Sequence, residues 1–280
     1  MHTVHPLSLA YSTCPNDTFL FHALAKGEIP LKDLTYTISL DDVESLNQSA
    51  AKGQYHITKL SFAALGHLQD TYGLLRSGAA LGRGCGPLVI ARPGQDFSKI
   101  SQSTIAVPGL QTTANLLLGL YLGHTPRVSP MVFDQIMPAV ARGDVDFGVI
   151  IHEGRFTYGS HGLTQVVDLG AWWETKTSLP IPLGGIAVRR DLPLKTIRTI
   201  EQSISESVTH AFRNPNASKD YVKTHAQELA DDVIDQHIQL YVNDFTVNLG
   251  QEGQRAVEHF FNLARQKGLI PESDKPLFAC

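Results

Sequence analysis

The chain has 280 residues, 42% hydrophobic and 18% charged, with a net charge of −4 and a pI near 6.3. That is enough for one large domain or two modest ones, each with its own core. No long basic run is present, which argues against nucleic-acid binding. No apolar stretch approaches the roughly 20 residues a bilayer requires, so no membrane insertion is expected.

The N-terminal residues lack a charged segment followed by an apolar one, so no secretory signal is expected and the reading is cytoplasmic. Cys14, Cys85 and Cys280 fit neither a zinc site nor a disulfide framework and read as free thiols. There is no CxxC, HExxH, GxGxxG or GxxxxGK[ST] sequence, which argues against metal, dinucleotide and P-loop nucleotide chemistry.

In chain order, Leu7 to Tyr11 reads as a strand, followed by the turn Ser12-Thr-Cys-Pro-Asn-Asp17. Pro15 suits a helix start, with Asn16 and Asp17 suited to capping it, and a helix follows to Leu24. Leu34 to Leu40 alternates as a strand. Asp42 to Lys52 is an amphipathic helix stopped by Gly53. Tyr55 to Leu60 is a strand and Ser61 to Leu68 a helix. This rhythm predicts a mostly parallel sheet.

Gly78 to Pro87 is glycine-rich and reads as a loop, and Leu88 to Ala91 as a strand leaving the first unit. A second unit begins near residue 95. Its strands are expected at Thr104 to Val107, Val132-Phe133, Phe147 to Ile151 and Leu163 to Leu169. Its helices follow Thr112-Thr-Ala114 and cover Ile136 to Ala141. Pro180 to Gly185 reads as a turn-rich crossing, and Ile186 to Val188 as a strand. Four helices then close the chain, at 197–213, 218–225, 231–240 and 251–266. The expectation is two α/β lobes, 1–93 plus 187–280 and 94–186, around a central cleft.

The segment Phe147 to Ile151 is an apolar run that ends on His152. It reads as a buried parallel strand, and carboxyl ends of such strands face the ligand crevice. An imidazole there suits a general base; the competing reading is an ordinary loop histidine. Glu153 is adjacent, but neighbours on an extended strand point to opposite faces, so a group from elsewhere is expected to orient His152. Arg155 could bind a carboxylate bidentately or form an exposed ion pair.

Thr58, Lys59 and Ser61 close a strand and open a helix, an arrangement that can hold an anion or serve only as a cap. Thr113 repeats it in the second unit. Asn16 lies at the first strand–helix turn. Cys14 lacks an evident base partner for nucleophilic work. Trp172 and Trp173 suit either a planar ligand or the core. Gly82, Gly84 and Gly86 suit a close ligand approach or a turn.

A set of motifs runs nearly the length of the chain. They include Cys14-Pro-Asn-Asp-Thr-Phe19, Asp42-Val-Glu-Ser-Leu-Asn47, Thr58-Lys-Leu-Ser61 and Ser77-Gly-Ala-Ala-Leu-Gly-Arg-Gly84. Ala106-Val-Pro-Gly109, Thr112-Thr-Ala114, Ile151-His-Glu153, Arg155-Phe-Thr-Tyr158, Asp168-Leu-Gly-Ala-Trp-Trp-Glu174 and Pro182-Leu-Gly184 continue the series, with Ala226–Leu229 and Tyr241–Asn243 beyond. In this the chain resembles the 1,4-dihydroxy-6-naphthoate synthases (the MqnD family) of menaquinone biosynthesis by the futalosine route. Thr13 and Gly154 depart from the family's usual proline and serine.

The resemblance implies a two-lobed fold of the type 2 periplasmic-binding-protein kind, with a central cleft and hinge. It implies a lyase that converts cyclic dehypoxanthine futalosine to 1,4-dihydroxy-6-naphthoate, releasing dihydroxyacetone without a cofactor. His152 is then the proton acceptor, and Thr58, Lys59, Leu60, Thr113 and Ala114 contact the carboxylate substrate. A homodimer is the expectation by analogy. The alternatives are a non-catalytic small-carboxylate binding protein of the same fold, a sister enzyme acting earlier in the pathway, and a thiol hydrolase using Cys14.

Overall fold

The computed structural model describes residues 6–32, 34–226 and 230–280. Most of the Ala226–Leu229 motif therefore lies outside the described residues.

Eleven strands in the described residues form two sheets. Strands β1 (Leu7–Ser12), β2 (Tyr36–Asp41), β3 (Ile57–Ser61), β4 (Tyr72–Leu74) and β5 (Ala80–Gly82) belong to the first. Strands β6 (Leu88–Ala91), β7 (Ile105–Val107), β8 (Val128–Pro130), β9 (Phe147–Ile150) and β10 (Thr164–Asp168) form the second. Strand β11 (Ile181–Arg189) returns to the first. The orders are β2-β1-β3-β11-β4, with β5 also on β11, and β10-β6-β9-β7-β8.

Both sheets are mixed rather than parallel. In the first, β1 runs parallel to β2 and β3, but β11 is antiparallel to β3, β4 and β5. In the second, β9 is parallel to β7 and antiparallel to β6. The chain thus crosses between sheets at 83–87 and 169–180, somewhat before the boundaries expected at 93/94 and 186/187. Leu88–Ala91 opens the second sheet instead of closing the first.

Pro180–Gly185, expected as a turn, lies largely within β11. Pro182 is accommodated where the β11–β5 register shifts between Pro182 and Gly184, which spares the missing N–H from a regular ladder position. Strands β4 and β5 were not expected; they are three-residue pieces too short to show a period. Gly86 and Gly170 meet at the crossing, where a Cβ on Gly86 would overlap the backbone of Gly170.

The helices are α1 (Pro15–Lys26), α2 (Val43–Ala51), α3 (Phe62–Leu68), α4 (Thr113–Leu122), α5 (Phe133–Arg142), α6 (Gly154–Thr157), α7 (Leu169–Thr177), α8 (Leu194–Arg213), α9 (Lys219–His225), α10 (Asp231–Tyr241), α11 (Asp244–Val247) and α12 (Gly250–Gln266). Helix α1 starts on Pro15, whose fixed φ and absent N–H suit the first helical position. Gly27 ends it in the left-handed conformation. Its apolar residues Phe19, Leu20 and Ala23 share a core with Ile57, Ile186 and Val208.

A larger core runs through both lobes, from Leu60 and Phe62 to Val89, Leu117, Trp173 and Phe260. Trp173 is fully buried and donates its Nε1–H to the Pro180 carbonyl. Trp172 packs edge-on against Tyr121 with Lys176 above its ring. Both tryptophans are structural.

Candidate functional site

Four strand ends aim at one cleft between the lobes. Strand β1 leads into Asn16 and Asp17, β3 ends at Ser61, β7 leads to Thr113, and β9 leads to His152. The cleft holds about 630 Å³ of space between the lobes, part of it open solvent at its mouth. Asn16, Lys59, Ser61, Thr113, Ala114 and His152 all line it.

Its floor is an ion pair. Lys59 Nζ lies 2.7 Å from Asp17 Oδ1, with both side chains almost completely buried. Asp17 Oδ1 also accepts from Asn16 Nδ2 at 2.8 Å, while Oδ2 accepts from the Ser12 hydroxyl at 2.6 Å and the Ser12 N–H at 3.2 Å. These bonds satisfy the carboxylate fully, as burial of a charge requires. Lys59 therefore has a resident partner, which its position in the strand did not disclose. An ammonium has three donors, and the side chain still faces the cleft.

His152 follows β9 with φ at +56°, the left-handed region that residues other than glycine seldom adopt. The turn swings the imidazole across to the first lobe. Cys14 Sγ lies 3.5 Å from Nδ1 and 3.7 Å from Nε2, and Phe133 meets the ring edge-on at 5.2 Å between centroids. A thiol and an aromatic edge flank the ring. Burial pushes the imidazole pKa down to about 4, opposed by the charge of Asp17 and helped by Lys59. His152 is therefore neutral near pH 7 and able to accept a proton.

Cys14 has a base partner after all, but the pair is not an ion pair. Burial, then the charges of Glu153 and Asp17, pushes the thiol well above its ordinary value. Held as a thiol, the sulfur is a poor nucleophile, which weighs against the thiol-hydrolase reading.

Thr112 caps α4, its hydroxyl accepting from the Asn115 N–H. Thr113 is the first helical residue; its hydroxyl donates to the Leu183 carbonyl at 2.7 Å and accepts from the Ala63 N–H at 3.2 Å. Its side chain thus joins the lobes. The first-turn N–H groups at Thr113 and Ala114 have no partner within the helix and carry its positive end. Ser61 is held by Asn47, which accepts from the Ser61 N–H at 3.0 Å and donates to its hydroxyl at 3.1 Å.

Three expected contacts lie elsewhere. Thr58 is buried with its hydroxyl on the Lys59 carbonyl, and Leu60 is in the core. Arg155 donates to Asp168 Oδ2 and to the Gly86 carbonyl, both at 2.6 Å. Asp168 Oδ1 caps α7 by accepting from the Gly170 and Ala171 N–H groups. Arg155 therefore ties α6 to the interlobe crossing and does not line the cleft.

Glu44 accepts from the Gln111 N–H at 3.4 Å across the lobe boundary, where a Cβ on Gly109 would overlap its carboxylate. Two lining residues with polar chemistry carry no role in the sequence reading: His237 and Tyr241, both on α10. No local pattern marks them, because an aromatic or imidazole on the inner face of an amphipathic helix reads as core.

Among the described residues no group of three His, Cys, Asp or Glu side chains is placed to hold a metal, and no helix is long and apolar enough to cross a membrane.

A family model described as menaquinone biosynthesis matches residues 7–266. The 1,4-dihydroxy-6-naphthoate synthase of Thermus thermophilus is 48% identical over 277 residues, covering 97% of this chain and 98% of that protein. A crystal structure of an Archaeoglobus fulgidus protein superposes with a TM-score of 0.89 at 35% identity, over 96% of this chain and 100% of that one. The alkanesulfonate-binding protein of Xanthomonas axonopodis, at 13% identity, superposes with a TM-score of 0.71 over 95% of this chain and 94% of that one, which establishes the two-lobed periplasmic-binding-protein fold. The strand ends, the half-buried base and these likenesses agree: the chain belongs to the menaquinone-biosynthesis family that contains the 1,4-dihydroxy-6-naphthoate synthases.

Proposed function

We propose that the interlobe cleft carries out the lyase reaction for which its relatives are named, forming 1,4-dihydroxy-6-naphthoate from cyclic dehypoxanthine futalosine with release of dihydroxyacetone. The observation that carries the assignment of roles is the neutral imidazole of His152, delivered by β9 into a cleft whose other wall is the first lobe.

The roles divide by chemistry. The substrate carboxylate is held by donors: the first-turn N–H groups of α4 at Thr113 and Ala114, the Ser61 hydroxyl and the remaining donors of Lys59. His152 removes a hydroxyl proton. The electron pair left on that oxygen becomes a carbonyl bond as the neighbouring carbon–carbon bond breaks; the pair of the broken bond passes into the ring system that becomes the aromatic naphthoate, and aromatisation provides the driving force. The lobes, bridged at Thr113–Leu183 and Glu44–Gln111, enclose the reacting atoms and exclude water.

A binding protein of the same fold would retain the substrate unchanged. Incubating the purified protein with cyclic dehypoxanthine futalosine and separating the products by chromatography distinguishes the two readings: naphthoate appears if the lyase assignment is right, and bound, intact substrate would overturn it.

A further inference from the structure

His237 is an imidazole in the cleft to which the scheme above gives no role. It projects from α10, is 1% exposed, and lies 6.0 Å from the ring of His152 between centroids. Its hydrogen bonding fixes which nitrogen carries the proton. Lys59 donates to Asp17, and Asn16 Nδ2 donates to Asp17 as well. A paired carboxylate only accepts, so the Asn16 amide must present its NH₂ to Asp17 and its Oδ1 to His237. That oxygen lies 2.9 Å from His237 Nε2. Nε2 is therefore the N–H, and Nδ1 of the neutral ring is a bare lone pair.

Nδ1 is buried and has no hydrogen-bond partner. Glu153 Oε2 is 3.7 Å away, beyond hydrogen-bond reach. A buried acceptor without a donor costs about 1–3 kcal/mol. Such an atom in a cleft wall is best explained by a donor that arrives with the ligand. The donor cannot be a carboxylate, which would face the Nδ1 lone pair and the Glu153 oxygen together. A neutral hydroxyl fits both.

We infer that His237 is a second substrate-contacting residue, whose Nδ1 accepts a hydrogen bond from a hydroxyl of the bound substrate, with Asn16 as the positioning residue that fixes its tautomer. The cleft is then polarised: acceptors on His237 and His152 meet the hydroxylated, sugar-derived end, and donors at Ser61 and α4 meet the carboxylate. The inference rests on the lyase reading and specifies the end of the substrate that the two imidazoles share.

The test separates this contact from a purely structural one. Asparagine places an oxygen acceptor where Nδ1 stands but loses the bond to Asn16. Glutamine places an N–H where Nε2 stands, keeping the bond to Asn16, but vacates the Nδ1 position. Steady-state kinetics with cyclic dehypoxanthine futalosine are measured for wild type, His237→Asn and His237→Gln. We expect KM for His237→Asn within about threefold of wild type and KM for His237→Gln raised about tenfold, the scale of one lost hydrogen bond. The reverse order would make Asn16 anchoring the whole role of His237 and overturn the inference.

If either variant fails to fold, the wild-type ring answers instead. In ¹⁵N spectra of protein bound to 1,4-dihydroxy-6-naphthoate, or of the His152→Asn variant with substrate, the unprotonated Nδ1 signal of His237 should move upfield. An unmoved signal would overturn the contact. Wild-type protein that makes no naphthoate would overturn the lyase reading, and this inference with it, whereas normal turnover with the reversed variant order overturns the inference alone.

Discussion

Lys59 and Asp17 face each other at 2.7 Å beneath the cleft, forty-two residues apart in sequence and both hidden from solvent. The ammonium that the sequence offers as a free anion hook is thereby neutralised, and it also anchors the Asp17–Asn16–His237 chain. Removing either partner leaves a buried charge alone, at a cost of about 3–5 kcal/mol. Asp17→Ala and Lys59→Met should each lower the urea midpoint sharply, and the double variant should recover much of the loss. Two single variants with wild-type midpoints would contradict a buried, coupled pair.

His152 occupies a left-handed backbone position. Asparagine tolerates that conformation better than alanine does. The variant His152→Asn should therefore melt within a few degrees of wild type yet lose roughly 10²–10⁴ in kcat, the range of a general base. Its KM should change little. Turnover within about threefold of wild type would remove His152 from the reaction.

The pH profile follows from the depressed imidazoles. The base is active when neutral, so kcat/KM should hold steady as pH falls past 6.5 and drop only toward about 4, where His152 gains its proton. The Cys14 thiol and the His237 ring lie beside it, and the charges of Asp17, Lys59 and Asp42 act on it. Stability has its own window. His152, His237, His22 and His67 all titrate below the ordinary imidazole value when folded. Between about 4 and 6.5 these imidazoles bind more protons in the unfolded chain, so their contribution to stability falls as pH drops through that range, while the carboxyls of Glu44 and Glu201, raised by burial, act in the opposite direction. An acid limb centred near 6.5 would contradict a base held neutral by desolvation.

Cys14 touches the His152 ring, but its thiol is held protonated. Cys14→Ser should keep turnover within about tenfold, and the wild-type thiol should resist iodoacetamide at pH 7.5. Loss of all activity in the serine variant, together with rapid alkylation, would revive a nucleophilic cysteine.

Much of the site was legible because strand ends announce themselves. An apolar run closing on His152, and hydroxyls opening helices at Ser61 and Thr113, place residues without knowledge of the fold. The pairings were not legible. Asp17 meets Lys59 where β1 lies beside β3, Arg155 meets Asp168 inside the second lobe, and Cys14 meets His152 across the cleft because the chain leaves the first sheet after β5 and comes back through β11. No local period encodes that return, and Pro182 disguises its first turn of chain as a loop. His237 was hidden for a different reason: on α10 it occupies the face that packs inward, where an imidazole and a core residue look alike.

The most direct test compares wild type with His152→Asn on cyclic dehypoxanthine futalosine, following 1,4-dihydroxy-6-naphthoate by chromatography. The account predicts naphthoate from the wild type and almost none from a folded variant that still binds the substrate. Equal naphthoate from both proteins, or none from the wild type, would contradict it.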